Sequence, residues 1–136
     1  MGRREQREQV FKLLFRVEFN TSEDMPEQIK LFLEDRETVV SEKDAVYISD
    51  RFQKIQDKIP EIENVINTNT EGWDTIRMGK VELTVLRLAV FEMLFDEEIP
   101  KSVAINEAVE IAKTYGQENS GGFVNAILAK IVKLGE

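Results

Sequence analysis

Pro100-Lys101-Ser102-Val103-Ala104-Ile105-Asn106-Glu107-Ala108-Val109-Glu110-Ile111-Ala112-Lys113, continued by Tyr115-Gly116, Ser120 and Phe123-Val124-Asn125, decides the fold class. Ala104, Ala108 and Ala112 recur every four residues and stack on one helix face, where small side chains let another backbone come close. The spacing predicts a helix over 102–115, with Gly116 as a natural C-cap. A polar, glycine-bearing loop, Gln117 to Gly122, then turns into a helix over about 121–133. That helix places Phe123, Val124, Ile127, Leu128, Ile131 and Val132 on one face.

Upstream, Val81 to Phe95 is apolar nearly all round, interrupted by Glu82, Thr84, Arg87 and Glu92. A membrane span needs about 20 mostly apolar residues. This segment is shorter and charged in its middle, so it reads as a central helix covered by neighbours. Arg87 within it calls for a carboxylate partner. Trp73 and Ile76 are expected on a short helical piece before Gly79, and Asn67 to Gly72 is the best connection between two lobes.

The N-terminal half is helical as well. A first helix is predicted over about 3–19, with Val10, Leu14 and Val17 on one stripe and Phe11 and Phe15 beside it, ended by Asn20-Thr21-Ser22. Pro26 suits the first turn of a short second helix. Ser41 is a good N-cap for a third, whose Ala45, Ile48, Phe52, Ile55 and Ile59 follow steps of three and four. Pro60 is expected to kink or break it, with Ile62, Val65 and Ile66 continuing the apolar face. Nothing alternates with a strand's period. The fold class is therefore all-α, a bundle of about six to seven helices in two packed lobes, about 1–70 and 71–136.

Composition narrows the chemistry. The 136 residues include no cysteine and no histidine, and the net charge is −8. Disulfides, thiolate chemistry and zinc–thiolate sites are excluded, and the usual proton-transfer residue near neutral pH is missing. Glu107 and Glu110 share a face, but without a third ligand they read as ion-paired or solvated. No nucleophile–base pair or phosphate-binding glycine loop is present, so neither an enzyme nor a cofactor is indicated. The charged N-terminus lacks an apolar leader, so a cytoplasmic protein is expected.

The acidic total hides a local exception. Over residues 1–16, Arg3, Arg4, Arg7, Lys12 and Arg16 stand against Glu5 and Glu8, a local charge of +3. Arg3, Arg4 and Arg7 put two guanidinium groups on one helix face and a third at its flank, a geometry that grips phosphates. A solvated first turn is the alternative, although cations at a helix N-terminus oppose its dipole at about 0.3–1 kcal/mol each. Around Asn119 and Ser120, backbone N–H groups at a helix start form a small polar site for phosphate or base edges, with Phe123 placed to stack. Plain capping by Ser120, with Phe123 in the core, is the competing reading.

From Trp73 onward the chain resembles the NusB family of bacterial transcription antitermination proteins. The resemblance rests on Val81-Glu82, Val85-Leu86-Arg87-Leu88-Ala89, Phe91-Glu92, Pro100 and Val103-Ala104-Ile105-Asn106-Glu107-Ala108. It continues through Glu110, Ala112-Lys113, Tyr115-Gly116, Ser120, Phe123-Val124-Asn125, Leu128 and Lys130, and more weakly through Arg3, Arg4, Arg7, Leu14 and Phe15. The resemblance implies a non-enzymatic RNA-binding adaptor. It would bind boxA, a short single-stranded RNA, together with NusE, a small-subunit ribosomal protein. The complex would join RNA polymerase and other Nus factors, supporting rRNA operon transcription.

Carried over by position, the RNA-binding residues would be Arg3, Arg4, Arg7, Asn119, Ser120 and Phe123, and the protein-partner residues Phe15 and Glu82. RNA and partner surfaces are expected to act independently, so that charge reversal at Glu82 spares RNA binding by the chain alone. Gly122 departs from the family pattern, which usually has Lys or Arg there, and Glu5 interrupts the basic start. Two alternatives remain. One is a detached NusB-like regulatory domain of an rRNA methyltransferase, against which stands the lack of a nucleotide-binding segment after Glu136. The other is a purely protein-binding helical scaffold.

Overall fold

Helix α1, Arg3–Phe15, begins the chain in a computed structural model that describes residues 1–35, 37, 41–70 and 74–134. It is followed by α2 (Met25–Glu34), α3 (Glu42–Thr68), α4 (Lys80–Phe95), α5 (Lys101–Tyr115) and α6 (Ser120–Leu134). The described residues contain six α-helices and no strand, as the apolar spacing requires. They divide into two compact units, Met1–Asp57 and Lys58–Glu136.

In the first unit, α1 buries Val10, Phe11, Leu13 and Leu14. The helix expected to reach residue 19 tightens after Phe15 into a 3₁₀ turn, Arg16–Phe19. Asn20 explains the stop: its backbone is extended, and its side-chain amide donates to the Arg16 carbonyl at 2.8 Å, satisfying one of the last open acceptors. Phe11, Phe15 and Phe19 form a ladder along this stretch, with centroid separations of 6.0 and 5.1 Å. Arg16 lies over the Phe32 ring of α2 and donates to the Gln28 side-chain oxygen at 3.1 Å.

Ser41 caps α3 as its position implies. Its hydroxyl oxygen accepts the Asp44 N–H at 3.1 Å, and its proton goes to the Asp44 carboxylate at 2.8 Å. The same carboxylate accepts from Gln6 at 3.0 Å and lies 3.3 Å from the Met1 amine. These donors hold the Asp44 carboxyl below its ordinary pKa. The Ser41 hydrogen bond contributes most, then that of Gln6 and finally the amine, against an opposing push from burial.

Of the kink or break expected at Pro60, the break does not occur: α3 continues through it as one helix. Ile55, Ile62 and Ile66 are fully buried on either side while Pro60 itself is exposed, so packing of the stripe outweighs one missing backbone hydrogen bond. Likewise Asn67 and Thr68 belong to α3, and Asn69 caps it by donating to the Val65 carbonyl at 2.7 Å. Ile76 is not helical. It sits 91% exposed in a turn closed by Arg77 N–H on Asp74, and Trp73 lies outside the described residues.

In the second unit every residue of α4 from Leu83 to Met93 is buried. Helix α5 packs on both α4 and α6, and α4 also meets α6. Ala104, Ala108 and Ala112 are buried at the α5 face as their spacing predicts. On α6, Gly121 lies against a different strip of α5: a Cβ there would sit 3.1 Å from the Lys113 side chain and 3.5 Å from that of Val109. Arg87 finds its carboxylate partner in Glu63 of α3.

Candidate nucleic-acid interface

The arginines extend from the first two turns of α1. Arg3 and Arg4 are exposed and Arg7 is half-buried. Gly2 precedes the helix without a side-chain cap, and Glu5 is the one acidic residue in the first turn. The positive end of the helix dipole thus coincides with three fixed cations, a pairing that favours an anion over solvent. Phe15 is half-buried in the middle of the aromatic ladder, and Phe19 beside it is 60% exposed.

The second cluster is built at the α5–α6 turn. Gly116 ends α5 with its N–H on the Ala112 carbonyl at 2.9 Å. Its φ of −97° suits any residue, so conformational freedom is not what requires glycine. Space is: a Cβ would lie 2.5 Å from the Ser120 hydroxyl and 2.7 Å from the Ala112 carbonyl oxygen. Asn119, at the tip of the turn, is exposed, and Phe123 is half-buried one turn into α6. Gly122 is exposed, with open space where its side chain would be.

Ser120 is placed differently from its neighbours. It is 1% exposed, and its hydroxyl accepts the Gln117 N–H at 2.8 Å while donating to the Glu82 carboxylate. The Ser120 side chain therefore reaches back to Gln117, three residues upstream, and not forward to the N–H groups of α6 that a cap would take. Glu82, read from sequence as a surface residue for a partner, is half-buried and engaged by this bond. Of the candidate residues in the second unit, the fold joins Glu82 directly to Ser120 and holds Asn119 and Phe123 next to that junction. Gly79 and Gln117 complete it; the sequence places Gln117 only at the start of the polar loop and Gly79 only after a short helical piece. The spacing of Gly79 and Glu82, N-cap and third helical residue, was the available signal.

Among the described residues, no three or more Asp, Glu, His or Cys side chains gather as a metal site, and no helix is long and apolar enough to cross a membrane. Glu110 pairs with Lys113 at 3.9 Å on an exposed face, the ion-paired form of the two expected.

Residues 4–133 match the NusB family. The chain is similar to the transcription antitermination protein NusB of Lachnoclostridium phytofermentans, 46% identical over 132 residues, covering 97% of this chain and 99% of that protein. Among solved structures it resembles T. maritima NusB, with a TM-score of 0.87 and 41% identity, covering 98% of this chain and 92% of that one. It also resembles a chain from the antitermination factors NusB and NusE in complex with dsRNA. There the TM-score is 0.83 and the identity 26%, covering 97% of this chain and 96% of that one.

Proposed function

The chain belongs to the NusB family, and on that premise we propose that it is an RNA-binding transcription antitermination factor, not an enzyme, that works with a NusE-type ribosomal protein. Its RNA is a boxA-type single strand, its setting is rRNA operon transcription in the cytoplasm, and its wider partners are RNA polymerase and other Nus factors. The observation that carries RNA binding with a NusE-type partner is the near full-length likeness to a chain solved with NusE and dsRNA; the single-strand preference rests on the family resemblance. The exposed Arg3 and Arg4, with Arg7 behind them, support a backbone-gripping role. Exposed Asn119 and half-buried Phe123 support contact with bases, one by hydrogen bonding and the other through its ring. Ser120, being buried, serves by shaping the turn.

Phe15 and Glu82 are assigned to the protein partner. A basic ribosomal protein meets an acidic chain, and charge complementarity of this kind mainly speeds and orients association. Titration of a boxA-type RNA, alone and with the ribosomal partner, tests the whole reading. A duplex and an unrelated strand are the controls. With about three phosphates engaged, affinity should fall with salt at a log–log slope near −2, about −0.7 per phosphate. Phe123→Ala should cost about 1–3 kcal/mol of RNA binding. A chain that never selects boxA over the unrelated strand, with or without the partner, is a protein-binding scaffold instead.

A further inference from the structure

Resting on the reading that the 117–123 segment touches RNA bases, we infer that Glu82 is a positioning residue for that segment, acting through Ser120, so that the partner flank and the RNA turn are linked. The Ser120 hydroxyl uses both of its capacities inside the fold, accepting from Gln117 N–H and donating to Glu82. Ser120 N–H in turn donates to the Gln117 carbonyl at 3.0 Å, so the two residues close the turn reciprocally. The proton that orients this hydroxyl goes to a carboxylate, which makes the bond charge-assisted and stronger than a neutral one. Asn119 precedes Ser120 directly, and Phe123 N–H donates to the Asn119 carbonyl at 3.1 Å. The orientation of both proposed base contacts therefore follows from where Ser120 is held.

Two glycines leave room for the bond. A Cβ at Gly79 would lie 2.3 Å from the second Glu82 carboxylate oxygen, and a Cβ at Gly116 would lie 2.5 Å from the Ser120 hydroxyl. The two are far apart in sequence, yet each clears space for one end of the same hydrogen bond. Glu82 is half-buried, and a cation of a basic partner that engages its carboxylate holds it in the Ser120-bound rotamer. Partner and RNA then strengthen each other, and the gain is equal in both directions. This departs from the independence of the two surfaces expected from sequence.

The test uses Gly79→Ala, Glu82→Ala and Ser120→Ala in the whole chain, with Arg3→Ala as reference. Gly79→Ala is the most specific: its backbone (φ −61°, ψ 148°) suits alanine, and the new Cβ forces the carboxylate's second oxygen aside, and the Ser120-bound oxygen with it, without removing Glu82 or Ser120. Each of the three should weaken boxA-type RNA binding about tenfold, the scale of one charge-assisted hydrogen bond. Each should also speed Gln117 amide exchange about tenfold. In a Glu82→Ala background, Gly79→Ala should change nothing further. Should Glu82→Ala unfold, Glu82→Gln keeps the shape and an uncharged acceptor, and should give a smaller loss. RNA affinity that drops with Arg3→Ala but not with Gly79→Ala or Glu82→Ala overturns the linkage and leaves the RNA reading standing. If the wild type binds no RNA, the RNA reading fails, and Gln117 exchange unmoved by Glu82→Ala overturns the positioning role by itself.

Discussion

Arg87, embedded in the most thoroughly buried helix of the chain, forms its ion pair with Glu63, twenty-four residues earlier on α3. Arg87 is 7% exposed, whereas the Glu63 side chain keeps 29% of its surface. Deleting Glu63 takes a carboxylate away from a buried charge. Glu63→Ala should therefore destabilise by about 1–3 kcal/mol in urea unfolding, toward the low end because Glu63 is partly wet. Replacing the pair together, as Glu63→Leu with Arg87→Met, should cost less than Glu63→Ala alone. A double variant less stable than that single one would mean the guanidinium is needed for itself.

Asp44 gives the fold a defined acid sensitivity. Its carboxyl is held below its ordinary value by Ser41, Gln6 and the Met1 amine, so the ionised form is favoured in the folded state. The stability this supplies is complete above the unfolded value of about 3.9 and is lost as pH falls through the lower folded value. The stability gap between wild type and Asp44→Asn should be constant above about pH 5 and shrink below about pH 4. Chemical denaturation across that range reads it; a gap that widens in acid would contradict the assignment.

Gly122 is an open position on the proposed RNA side. No atom within 4 Å would meet a Cβ there. Gly122→Ala should stabilise α6 by about 0.5–1 kcal/mol, measured by thermal unfolding. Gly122→Lys should tighten boxA-type RNA and steepen the salt slope by about 0.7, one phosphate's worth. An unchanged slope would place Gly122 off the RNA path.

Gly116→Ala should act in the opposite direction. Its Cβ would meet the Ala112 carbonyl oxygen at 2.7 Å, and a backbone atom cannot swing aside. A loss of about 1–3 kcal/mol is expected from overpacking, with faster amide exchange at Gln117. Stability equal to wild type would show that the turn shifts freely.

The helices were legible because apolar residues recur with a helical period over most of the chain, and Ser41 marked its helix start correctly. Pro60 does not break its helix, because a rule about one residue is set against a stripe of buried isoleucines extending on both sides. Ile76, expected on a short helical piece, lies exposed on a turn, because four residues closed by the Arg77 N–H on Asp74 need no helix to continue. At the proposed interface, the exposure of Arg3, Arg4 and Asn119 was legible, since charge and loop polarity are local properties. The bond between Glu82 and Ser120 spans thirty-eight positions, and nothing in either residue's neighbourhood points to the other. The same holds for Arg87, whose need for a carboxylate was plain while the identity of Glu63 was not.

Enclosure of α4 on every side has an evolutionary corollary. A rod with no wet stripe from Leu83 to Met93 leaves selection little to vary there except fit. Novelty in what this protein recognises must then arise at the rod's tips, where Glu82 and Phe95 emerge, or on helices that keep a solvent side. Lineages sharing this architecture should therefore diverge fastest around an almost frozen axis.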